Sequence, residues 1–151
     1  MGYNVAGIIT TTKIENEAGI NSLLGTNASL VGNVDFDEAT SMEKEPGVAD
    51  VFAGEGGSVI FTFMTDIYDL SETTGEVMQF IISDVSDTYY FEKYNDGELV
   101  RKLIVSQGEI HEDEGEDEDI NEDTVSDFIW EYIENVINED IYDCTFVRYT
   151  V

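Results

Sequence analysis

The sequence predicts an α+β fold, a mainly antiparallel sheet with helices packed on one face. Three observations predict it. β-Rich runs succeed one another over about residues 76–106, an apolar stripe recurs at helical spacing over about 123–138, and the chain closes on an alternating strand.

EVMQFIISDV, TYYFEKYN and ELVRKLIVS are dense in β-branched and aromatic residues, and Asn95–Asp96–Gly97 is a strong hairpin turn between the last two. In the middle run Tyr90, Glu92 and Tyr94 fall on one face, and Tyr89, Phe91 and Lys93 on the other. This is a β-meander. Downstream, Val125, Phe128, Ile129, Tyr132, Ile133, Val136 and Ile137 form a wide helical stripe, with Ser126, Asp127, Glu131, Glu134, Asn135 and Asn138 opposite. Asp123 or Thr124 is placed to cap that helix. In the closing CTFVRYTV, Thr145, Val147, Tyr149 and Val151 alternate with Cys144, Phe146, Arg148 and Thr150.

Earlier elements follow from the same rules. Val5, Ile8 and Ile9 with a threonine run favour a strand within Gly2 to Ile14, and ENEAGINSLLG reads as a short helix stopped by Gly25. SLVGNVDF reads as a strand. Residues 37–57, with Pro46 and the glycines Gly54, Gly56 and Gly57, read as an irregular connection holding a helical turn around Ala39 to Glu45. SVIFTFM is a buried strand, and TDIYDLSETTG suggests helical turns between a Thr65 cap and Gly75. No repeat or linker divides the chain. Residues 1–151 are therefore read as a single domain with an acidic connector at 108–123.

Charge is the outlier of the composition. Six cations oppose 34 acidic groups, for a net charge of −28. Direct binding of nucleic acid or of an anionic membrane needs a basic footprint, which six scattered cations do not form. A single cysteine, Cys144, excludes an intrachain disulfide and suits the reducing cytoplasm. The opening MGYNVAGIITTTKI lacks the basic and continuous apolar regions of a signal peptide, and the apolar run near Val59 to Met64 is too short to span a bilayer. The expected location is cytoplasmic.

Inventory removes most catalytic chemistry. One histidine, His111, lies among carboxylates in a hydrophilic run, and no second imidazole is present to share a metal. Asp143 opposes a thiolate at Cys144. No G-x-S-x-G occurs, and the Gly54–Gly57 cluster has neither a full G-x-G-x-x-G nor the lysine of a phosphate loop. An EF-hand fails around Gly115, where Ile110 would be the first ligand, and around Gly97, where Glu92 would be first and Tyr94 third. No cofactor and no metal site are expected beyond weak divalent cation binding by EDEGEDED. Paired carboxylates leave a hydrolase as the least favoured reading.

The acid is concentrated. Between Leu103 and Val147 there are sixteen Asp and Glu and no Lys or Arg. That concentration points to a non-enzymatic acidic binding domain that contacts a basic protein partner, of the immunity-protein or inhibitor type. Glu112, Asp113, Glu114, Glu116, Asp117, Glu118, Asp119, Glu131 and Glu134 would meet the partner, and Trp130 would anchor it from the rim of the apolar stripe. Two alternatives stand beside it: a DNA-mimic inhibitor of a nucleic-acid-binding protein, and a domain whose acidic run is only a solvated loop.

Overall fold

In chain order the elements of the computed structural model are β1 (Asn4–Thr10), α1 (Glu17–Leu24), β2 (Ser29–Val34), α2 (Phe36–Ala39), β3 (Val48–Ala53), β4 (Ser58–Thr62), β5 (Glu76–Ser83), β6 (Thr88–Asn95), β7 (Glu98–Ser106), β8 (Glu109–Gly115), α3 (Val125–Ile137) and β9 (Phe146–Thr150), with a 3-10 turn at Ile141–Asp143. The structure describes residues 3–115 and 120–151. Among them the strands form one open antiparallel sheet in the order β2-β9-β3-β4-β1-β5-β6-β7-β8.

Pleat alternation gives the sheet two buried faces around its middle. On one, Val5, Ile9, Val59, Phe61, Met78, Phe80, Phe91, Leu103 and Phe146 pack with α2 and α3. On the other, Ile8, Ala49, Val51, Ile60, Val77 and Tyr149 pack with Ile20 and Leu24 of α1 and with Leu70. The helices thus divide between the faces, where a single helical layer was expected. The reason is the chain's path: β1 and β4 are apolar on both sides, so each side demands a cover.

Helix α3 lies where its stripe directs it. Val125, Ile129, Ile133 and Ile137 are fully buried, a gross contribution of about 6–12 kcal/mol at 1.5–3 kcal/mol per side chain. Its last turn rests on the glycine cluster, where a Cβ at Gly54 would stand 2.4 Å from the Ile137 carbonyl and one at Gly56 2.4 Å from that of Val136. The Glu55 amide donates to the Ile137 carbonyl at 3.1 Å. These glycines therefore serve close packing against a helix end.

Three expectations change. Residues 48–53 form β3 inside the stretch read as irregular; VADVFA is otherwise apolar, and the charge at Asp50 masked its strand pattern. Residues 63–75 run as turns and irregular chain pinned by buried Leu70, and Thr65 caps no helix. Thr124 precedes α3 without a side-chain capping bond.

The connector is the largest correction. Glu109–Gly115 is a strand, β8, paired antiparallel with β7 from Ser106↔Glu109 to Arg101↔Gly115. Gln107 and Gly108, both at positive φ (52° and 76°), make the two-residue turn between them.

Candidate functional site

Strand β8 ends the sheet, so one of its two edges is unpaired among the described residues. Asp, Glu and Lys are poor strand formers, and the stretch is held by specific neutralisation. Arg101, buried under the strand and over the Phe91 ring, donates from Nη1 to Asp113 Oδ1 at 2.5 Å and to the Glu114 carbonyl at 2.9 Å. Its Nε has no partner. Lys102 reaches Glu112 at 3.0 Å. Two cations thus answer the acids of β8 from the neighbouring strand.

Register shows which side chains share each face. Ile81, Tyr90, Ile104 and Glu112 lie in one row across β5 to β8, and Gln79, Glu92, Lys102 and Glu114 in the next. This is the face opposite α3. Here Ile81, Tyr90 and Ile104 are half-buried and belong to neither core cluster. Tyr90 donates to Glu92, which also accepts from the Tyr94 hydroxyl at 3.1 Å. Burial and Glu92 together push the Tyr94 phenol up to about 12. Hydrogen bonding to Glu112, supported by the charges of Glu112, Glu92 and Glu114, holds Lys102 above the ordinary lysine range. Three carboxylates around one ammonium, flanked by two tyrosines and two isoleucines, make an amphipathic and net negative surface.

The expected anchor stands elsewhere. Trp130 contacts Tyr3, Phe36 and Phe61, with the Tyr3 ring centroid at 5.1 Å. Phe61 is on β4, five strands from β8, a separation of about 24 Å at ~4.8 Å per strand. Trp130 is half-buried in an aromatic group between α3 and α2, and it does not join the acidic strand. Glu131 and Glu134 are exposed on α3, over the face opposite the Tyr90–Glu92–Lys102 surface. Glu112, Asp113 and Glu114 are together on β8. Glu116, Asp117, Glu118 and Asp119 lie outside the described residues. Tyr90, Glu92 and Tyr94 were legible as one face of a strand, yet only the pairing of β8 with β7 brings the acids beside them.

The remaining reactive groups are occupied structurally. Cys144 is half-buried just before β9, its Sγ 3.2 Å from the Asp140 carbonyl. Burial, then Glu139, Asp140 and Asp143, push its thiol up to about 11, which disfavours the thiolate. Asp50, fully buried, accepts from Lys44 at 2.8 Å and from Arg148 at 2.8 and 2.9 Å. Burial pulls Lys44 below the ordinary lysine range against the pull of Asp50. Beside Lys44 a shallow cavity of about 270 Å³ is lined by Val5, Met42, Phe63, Met64 and Val85. Among the described residues no three His, Cys, Asp or Glu side chains converge as a metal site requires, and no helix is long and apolar enough to cross a membrane.

Comparison of the chain with protein-family models, with curated proteins and with solved structures found no match.

Proposed function

We propose that this protein is a non-enzymatic acidic binding domain, acting in the cytoplasm, whose β5–β8 end captures a basic protein in the manner of an immunity protein or inhibitor. The observation that carries this reading is that Glu109–Gly115 is an edge strand beside a half-exposed face bearing Ile81, Tyr90 and Ile104, with Tyr94 where that face meets the second core cluster. Ordered charge steers a cationic partner at little conformational cost, and half-exposed tyrosines supply the desolvated anchors that charge alone lacks. Trp130 gives up the anchoring role to Tyr90 and Tyr94. DNA mimicry is the weaker reading, because Lys102 interrupts the row of carboxylates on this face.

The test is affinity capture from the native host with the wild-type chain, with Glu112→Gln/Glu114→Gln and with Tyr90→Ala. A basic protein should be retained by the wild type at low salt, released at high salt and lost with both variants. Retention indifferent to those residues overturns the reading.

A further inference from the structure

Lys44 and Arg148 share one carboxylate, Asp50, so this closed corner of the sheet carries one positive charge in excess. The Lys44 ammonium has three N–H groups. One meets Asp50 at 2.8 Å and one the Phe61 carbonyl at 3.0 Å, and the third has no acceptor among the described residues. Its side chain is 4% exposed, so water compensates the excess only slightly. Asp35, Asp37, Glu38 and Glu43 line the neighbouring bowl with Arg148, but all four are exposed and screened by solvent.

The cavity of about 270 Å³ beside Lys44 is built to complement that charge. Val5, Phe63 and Met64 wall it, and Met42 and Val85 beside them stand 68% and 77% exposed. The Asn4 amide donates to the Met42 sulfur at 3.4 Å and holds it at this rim. Thr62, a buried residue, also lines the cavity, and its hydroxyl has no partner among the described residues.

We propose that this cavity binds a small apolar carboxylate, its charged head at Lys44 and Thr62 and its short hydrocarbon tail along Val5, Phe63, Met64 and Val85. Each part of the site selects a part of the ligand. One negative charge cancels the excess left by Lys44 and Arg148, whereas a cation adds to it and a dianion overshoots it. An uncharged head offers the third Lys44 N–H a weaker acceptor than a carboxylate does. Apolar walls favour a tail, and the two thioethers adapt to its shape. The tail is short because the cavity falls just below the roughly 300–1,000 Å³ of sites for drug-sized ligands.

Titration of the full chain with octanoate, followed by methionine-methyl NMR and calorimetry, tests this against octanol and octylamine. Octanoate should move the Met42 and Met64 methyls saturably and leave that of Met78, buried in β5, in place. Octanol should bind about tenfold more weakly, the scale of one charge-assisted hydrogen bond, and octylamine more weakly still. Lys44→Met should erase the difference between octanoate and octanol. Val85→Glu, on an exposed turn where the fold tolerates it, should weaken octanoate selectively and keeps the site testable if the Lys44 variant does not fold. Absent or unsaturable shifts at Met42 and Met64, equal affinity for octanoate and octanol, a folded Lys44→Met chain that keeps the preference, or a Val85→Glu chain that binds octanoate as before overturns the proposal.

Discussion

Near β3 and β9 two cations, Lys44 and Arg148, converge on Asp50, a carboxylate with 0% exposure. Near β7 and β8 two other cations, Arg101 and Lys102, hold Asp113 and Glu112, whose side chains are 49% and 42% exposed. Pairing of the same residue types thus closes a core at one end of the sheet and presents acid to solvent at the other. The difference is dielectric. A carboxylate taken out of water must be matched by its partners in full, whereas one at the surface needs only enough neutralisation to lie along its neighbour strand.

The sharpest way to break this comparison is Asp50→Ala, which leaves two cations with no carboxylate between them. It should cost about 3–5 kcal/mol in urea denaturation, since breaking a buried ionic group by removing one partner is costly. Replacing Lys44, Asp50 and Arg148 together with apolar residues of similar volume should recover most of that loss. Failure to recover would mean that the triad is required for the fold of this end.

Arg101→Met comes next. Losing its charged hydrogen bonds should cost about 1–3 kcal/mol, partly offset because its buried Nε is already unsatisfied. Hydrogen exchange should show the loss at the β8 amides, with β1 and β4 still protected. Uniform loss of protection would show that β8 is not a separable edge.

At the surface end Lys102→Met should change stability by only about 0–1 kcal/mol, as exposed pairs do. It should instead raise the on-rate for a basic partner and steepen its salt dependence, because Glu92, Glu112 and Glu114 lose the ammonium that stands among them. The smallest effect belongs to Tyr94. Its phenol is raised in the fold, so its contribution is fully present below pH 10 and is lost between pH 10 and about 12. Tyr94→Phe should reduce the slope of stability across that window in pH-dependent melting, where Tyr89 and other raised phenols keep the remainder, and an unchanged slope would remove the Glu92–Tyr94 bond from the surface.

Much of this was legible from the residues. Period-2 runs, the Asp96–Gly97 turn and the Val125–Ile137 stripe each carry their structure locally, so β5, β6, β7 and α3 follow from the text of the chain. The second hairpin was encoded as well: Gln107–Gly108 adopts positive φ as Asp96–Gly97 does, at 52° and 76° against 49° and 82°. It was obscured because EIHEDEG has no apolar alternation and poor strand propensity. A charge at Asp50 hid β3 for the same reason, and residues 65–75 resembled helical turns because Thr65 and Gly75 imitate a cap and a stop.

By itself the sequence determined the class of fold, the amphipathic helix, the absence of a basic footprint and the concentration of acid in one segment. Those properties depend on residue identity and short-range periodicity, which a linear text contains. Tertiary structure alone decided that Glu109–Gly115 is a strand, that it lies beside Tyr90, and that Trp130 faces Tyr3 and Phe36 far from it. The physical reason is that an acidic strand is stable only through its partners. Arg101 and Lys102 are separated from Asp113 and Glu112 by a turn that sets their register, and that register is fixed when the strands pair.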